Sequence, residues 1–315
     1  MPSAVALRHQ DQRATTVNRT ARAVLERWHQ VDPTAVSRSW AFLLSEVVAL
    51  VRAGQLTAAR QTESYMRELL GDAPPVIVPD AFAASAPDGR PLDALLSLAI
   101  PTTLRALAQE LPRKAAMARG AVFLDVAVRT VVADTGRQAD QVAMVATPRV
   151  RSYLRVLELP SCARCIVLAG QEYRVLAGFL RHPRCDCAME PVTASHTPDV
   201  LSPKRVFDRL SAAERVRAFG EAGTQAIEDG ADISQVVNAR RGVATLAAYG
   251  QRVRATSEGA TTRGLAGARL RNFERRAGSR YRTSRTPRLM PEEIYKRADD
   301  REHAVRLLRN HGYII

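Results

Sequence analysis

With 315 residues, 46% apolar and 25% charged, the chain is long enough to bury a core divided among two or three substructures. No stretch approaches 18 uninterrupted apolar residues and residues 1–13 hold no apolar run of the secretory kind, so neither a membrane span nor a secretion signal is expected. The net charge of +14 points to a polyanionic partner, nucleic acid first, with an acidic protein as the other choice.

Arginine supplies 43 of the 46 basic residues, the lysines being Lys114, Lys204 and Lys296. Aromatic residues make up only 5%, so the core must be built from Ala, Val and Leu, which favours packed helices. The expected fold class is therefore mainly α with a minor α+β part.

Residues 1–72 read as an N-terminal helical hairpin or bundle. Val17 to His29 repeats apolar residues at helical spacing until Asp32-Pro33, Trp40 to Val51 continues as an apolar helix ended by Gly54, and Thr57 to Leu70 forms a third, amphipathic helix. Trp28 and Trp40 are expected as packing anchors. Residues 73–92 carry five prolines and read as an extended connector lying across the surface.

Residues 93–250 form the expected central domain. Leu92 to Leu111 and Ala115 to Gly136 read as helices and Asp140 to Leu157 as a third, with a strand over Tyr153 to Leu157 as the alternative. Further on, Ser202-Pro203 is a capped helix start, Ser211-Ala-Ala-Glu214 a capping box closed by Gly220, and Ala222 to Asp229 and Ser234 to Ala239 are two more short helices.

Residues 251–289 differ in kind: from 251 to 288 there are 11 arginines, no lysine and two acids, a net of +9. Gly, Ser and Thr fill much of the remainder, so a flexible arm is expected to touch phosphates without reading bases. The candidate contacts are Arg252, Arg254, Arg263, Arg269, Arg271, Arg275, Arg276, Arg280, Arg282 and Arg285. Residues 290–315 return to order as a helical tail whose ending, Gly312-Tyr-Ile-Ile315, suits a segment tucked against a surface.

All four cysteines fall between Cys162 and Cys187, in Cys162-Ala-Arg-Cys165 and His182-Pro-Arg-Cys185-Asp-Cys187. Two thiolates two residues apart bind one tetrahedral ion across a tight turn, and a distant second cluster closes the loop around it. Cys162, Cys165, His182, Cys185 and Cys187 are therefore candidate ligands of a structural zinc ion. The expected set is Cys162, Cys165 and Cys187 with either His182 or Cys185. Five candidates over-fill a four-coordinate site, which favours a closed structural centre over a catalytic one. The alternatives are disulfides or separate buried thiols, and for His182 a turn histidine bonded to the backbone.

A serine protease would need a hydroxyl activated by a base. Ser195-His196, Ser211, His303 and His311 supply the residue types without a recognisable nucleophile frame. No P-loop, dinucleotide fingerprint or His-Glu-x-x-His segment is present.

Pro160-Ser-Cys-Ala-Arg-Cys-Ile-Val-Leu-Ala-Gly170 and Phe179-Leu-Arg-His-Pro-Arg-Cys-Asp-Cys187 resemble the phage Mu F-like (MuF) minor head proteins, the His-Pro-x-Cys-x-Cys piece above all. Val206 to Leu210, Gly230 to Arg240, Arg288 to Tyr295 and Leu307 to Tyr313 resemble the form found in tailed phages of high-GC hosts. The resemblance implies a virion protein in few copies inside the head near the portal, assembled in the host cytoplasm. Its expected partners are portal or major capsid proteins and packaged double-stranded DNA. Proteins of this form are often described as capsid maturation proteases, which makes proteolysis the alternative activity; a DNA-binding zinc protein unrelated to phage is another.

Overall fold

The structure, a computed structural model, describes residues 2–71, 77–157, 159, 161–178, 182, 187–199, 201–275 and 277–315. Helix accounts for 57% of it and strand for 11%, in keeping with a mainly α fold. The chain divides into two compact units, Met1–Glu158 with Gly170–Val200, and Leu159–Ala169 with Leu201–Ile315.

The first unit is built on three long helices. α1 (Ala4–Trp28) starts at Ser3, whose hydroxyl accepts from the Ala6 N–H at 3.1 Å. α2 (Val36–Leu70) is one continuous helix and not the two that Gly54 was expected to separate. A Cβ at Gly54 would stand 2.5 Å from Thr20 Oγ1, so glycine is there to let α1 and α2 approach closely, and the packing outweighs its poor helix propensity. A short 3₁₀ turn (Pro79–Phe82), α3 (Leu92–Ser97) and α4 (Ala99–Ala108) lead to α5 (Arg113–Val145).

α5 also merges what the sequence suggested as separate helices. It passes through Gly136, where a Cβ would meet Arg13 Nε at 2.7 Å. After it, the strand reading of residues 153–157 is the one realised: β1 (Ser152–Val156) is the middle strand of an antiparallel sheet with β2 (Glu172–Arg174) and β3 (Ala188–Val192). Tyr153 lies opposite both Tyr173 and Pro191.

Val17, Ala21 and Val24 of α1, Val47, Val51 and Ala58 of α2, and Leu124, Val128 and Val132 of α5 share one core. Trp28 and Trp40 meet edge to face at 5.2 Å, and the Trp28 indole N–H donates to the Met117 carbonyl at 3.0 Å, so both are packing anchors as expected. By length and composition α2 would span a membrane, but its inward face is committed to this core. Gln55 of α2 holds the connector: its amide donates to the Ser85 carbonyl at 2.8 Å and accepts from the Ala84 N–H at 3.1 Å. The connector is thus bound to α2 over the part described, while residues 72–76 lie outside the described residues.

The second unit has short elements. α6 (Ala163–Val167) precedes α7 (Pro203–Arg209, capped by Ser202), α8 (Ala212–Phe219) and α9 (Glu221–Glu228). Ser211 and Glu214 form the expected reciprocal capping box at the start of α8. α10 (Ile233–Ala239), capped by Asp232, is followed by a hairpin of β4 (Val243–Ala248) and β5 (Gln251–Thr256). Next come α11 (Leu265–Leu270), the strand pair β6 (Phe273–Glu274) and β7 (Thr283–Ser284), then β8 (Arg288–Leu289), α12 (Pro291–Arg297) and α13 (Arg301–Asn310).

Residues 251–289 are therefore not a flexible arm. β5 is the central strand of the order β4-β5-β8, and Val253, Ala255 and Ala266 are buried. The physical reason is Arg288, which is 1% exposed. Its guanidinium donates to the carbonyls of His311 (2.9 Å), Glu258 (2.7 Å) and Gly312 (3.4 Å) and to Gln235 Oε1 (3.0 Å), and lies over the Tyr313 ring. The tail is tucked in as its apolar ending suggested: Tyr313 is buried, donating its hydroxyl to the Leu289 carbonyl at 2.9 Å while its own carbonyl accepts from Asp232 N–H at 2.8 Å.

Candidate metal centre and basic surface

The Cys162-x-x-Cys165 pair is shaped by α6. Cys162 is its N-cap residue in extended conformation, and its carbonyl accepts from the N–H groups of Cys165 and Ile166, each at 3.0 Å. This turn sets Cys162 at the exposed start of the helix and Cys165 one turn in, buried. Two residues between the thiols is the spacing such a helix start needs to turn both toward one ion.

Cys162, Cys165 and His182 form a group that could hold a metal ion. Two thiols and an imidazole are the soft and borderline donors that suit zinc. Cys187 is outside this group, although the expected ligand set included it. It lies buried at the head of β3, with its carbonyl accepting from Arg137 at 3.1 Å. Cys185 lies outside the described residues. No disulfide joins the three described cysteines.

Nine of the ten arginines proposed as phosphate contacts, Arg252, Arg254, Arg263, Arg269, Arg271, Arg275, Arg280, Arg282 and Arg285, are exposed; Arg276 lies outside the described residues. They sit on folded elements and do not all point free. Arg269 donates to the carbonyls of Arg309 and Ile314, at 2.6 and 2.5 Å, Arg275 to that of Ser279 at 3.0 Å, and Arg285 pairs with Glu274 at 3.2 Å. Arg288, counted with them by composition, is the buried clasp.

The candidate nucleophiles are placed otherwise than a protease needs. Ser195 Oγ lies 3.3 Å from the Thr193 hydroxyl, and His196 Nε2 is 3.0 Å from Glu190 Oε1. Glu190 also accepts the Ser3 N–H at the start of α1, at 3.1 Å and 3.2 Å. Ser211 is occupied by its capping box. His311 is buried, its Nδ1 accepting from the Leu289 N–H at 3.3 Å; burial, then the charge of Arg288, lowers its pKa to about 4.

Sequence reasoning missed a buried polar cluster in the first unit. Asp140 of α5 accepts from Thr62 of α2 at 2.7 Å, from Arg13 of α1, and faces His9 Nε2 at 3.1 Å. Burial alone would raise the Asp140 pKa, but Arg13, His9 and Thr62 outweigh it and hold the carboxylate well below its usual range. His9 stacks on Tyr65 at 3.9 Å, and burial lowers its pKa. The cluster resembles catalytic chemistry in composition only: Asp140 is 0% exposed and Arg13 2%, so no substrate reaches it. The signal that could have found it is the i, i+4 pair His9 and Arg13 on the inward face of α1. No known family, curated protein or solved structure matches this chain.

Proposed function

We propose that the chain is a minor head protein of the MuF-like kind in a tailed phage, present in few copies inside the capsid near the portal. In this reading a structural zinc ion stiffens the segment 162–187, and the exposed arginines of the second unit contact packaged double-stranded DNA. The observation that carries the reading is the donor group Cys162, Cys165 and His182, set in the same Cys/His segment that resembles that family. Cys162, Cys165 and His182 would hold the ion, with Cys185 of the same segment as the fourth donor. A four-coordinate centre of this kind contributes folding energy and does no chemistry.

The arginines support contact with DNA by charge alone. The second unit presents guanidinium groups on several short elements, and each one that neutralises a phosphate releases a counterion, so binding should weaken steeply with salt. Replacing one contacting arginine by glutamine should lower the salt slope by about one and weaken all duplexes alike.

Elemental analysis of reduced, purified protein tests the metal. About one zinc per chain is expected by the donor count, lost on Cys165→Ser; metal-free protein of unchanged stability removes that part of the reading. Locating the chain in a reconstruction of an intact particle tests the rest, and a position outside the head overturns it.

A further inference from the structure

β4 is an edge strand. In the order β4-β5-β8 it has a neighbour on one side, and among the described residues no strand or bridge runs along the other. Proteins normally blunt such an edge with charge, proline, a bulge or a covering element. β4 has none of the first three: Val243-Ala-Thr-Leu-Ala-Ala248 holds neither charge nor proline, and its register with β5 runs unbroken from Val243↔Thr256 to Ala248↔Gln251. Ala244, Thr245 and Ala247 are exposed.

The hairpin turn tells which backbone groups face outward. Tyr249 and Gly250 both have positive φ, 53° and 73°, as a two-residue hairpin loop requires, so Ala248 and Gln251 form the closing hydrogen-bonded pair. Alternation then directs the N–H and C=O of Thr245 and Ala247 away from β5. The far side of β5 agrees in phase: Arg254, opposite Thr245, turns its carbonyl outward to accept from the Met290 N–H at 3.0 Å.

The face beside this edge is basic. Thr245 and Ala247 lie opposite Arg254 and Arg252, so all four side chains share one exposed face. The small side chains next to the edge leave the guanidinium groups room to reach across them. From Arg240 to Ser257 there is no acidic residue. A second copy of the chain laid on β4 would set two such faces side by side, and like charges oppose it.

We propose that the β4 edge takes an extended, acidic segment of a partner protein by strand addition. The segment's backbone pairs with Thr245 and Ala247, and its carboxylates, on the face shared with Arg252 and Arg254, meet the guanidinium groups. This interaction depends neither on the metal nor on the phage reading.

The test uses the full chain and a fluorescein-labelled, eight-residue peptide alternating glutamate and valine, followed by anisotropy. The peptide should bind. The same peptide with lysine for glutamate, or with backbone N-methyl groups on alternate residues, should bind at least about tenfold more weakly, a loss of about 1.4 kcal/mol. Thr245→Pro removes an outward N–H without touching the β5 ladder, a place where an edge tolerates proline, and should cost about the same. Arg254→Gln should weaken binding by a smaller factor. Equal binding of the N-methylated peptide, which needs no variant to fold, overturns the proposal, as does equal binding of the lysine peptide. If Thr245→Pro weakens a DNA duplex as much as the peptide, the edge belongs to nucleic acid and the proposal falls. A dimer dissolved by Thr245→Pro would assign the edge to a second copy and overturn it as well.

Discussion

Arg13 in the first unit and Arg288 in the second are both buried, at 2% and 1% exposure, and a guanidinium keeps its charge in either place. Arg13 is answered by another charge, the carboxylate of Asp140. Arg288 is answered by dipoles: three backbone carbonyls, the Gln235 amide oxygen and the face of Tyr313. The first arrangement neutralises charge inside a bundle of long helices. The second spends a charge on tying strand, loop and tail together in a unit of short elements, and leaves that unit basic.

The comparison can be broken at either arginine. Asp140→Ala strands the Arg13 charge and should cost about 3–5 kcal/mol, read by urea unfolding; a cost under about 1 kcal/mol would mean that water already solvates Arg13. In the second unit the loss is set by pH. The unfolded His311 takes up a proton near pH 6.5 and the folded one only near about 4. Stability therefore stays level above pH 6.5 and falls as pH drops toward 4, by about 3 kcal/mol over the whole window. His311→Gln, which keeps an acceptor for the Leu289 N–H, should flatten that fall in unfolding at about pH 7 against about pH 4.5.

Smaller effects sharpen the contrast. Arg288→Lys keeps the charge but loses the planar fork, leaving carbonyls without donors, and should cost about 2–3 kcal/mol. Ser211→Ala removes one half of the capping box on α8 and should cost about 1 kcal/mol in thermal unfolding. If Ser211→Ala proves as costly as Arg288→Lys, the second unit is held by its helix caps and not by its clasp.

Local chemistry was what the sequence made legible. Ser202-Pro203, Ser211 with Glu214, Gly220 and Pro291 mark helix ends because a cap is decided within four residues, and each was found where its residues placed it. Gly54 and Gly136 misled for the opposite reason: what decides them is Thr20 and Arg13, distant in the chain and unseen until α1 packs. The Arg252-Val-Arg-Ala255 alternation did carry a strand signal, but eleven arginines with Gly, Ser and Thr around them read as too polar to fold. Composition cannot tell Arg288 from the exposed arginines beside it. At the candidate centre, spacing selected Cys162, Cys165 and Cys187 with either His182 or Cys185; of these, Cys162, Cys165 and His182 come together, while the position of Cys187 depends on how β3 joins its sheet.

Ser3, at the start of α1, gives its N–H to Glu190 of β3, a contact closed across 187 residues. Its consequence is kinetic. Closing so long a loop carries an entropic cost before any contact rewards it, and contacts this distant in sequence slow folding. The pairing of α1 with α2 and that of β1 with β3 close much shorter stretches of chain and can form first. The Ser3–Glu190 contact should then form late, so Glu190→Gln should speed unfolding while leaving the folding rate nearly unchanged.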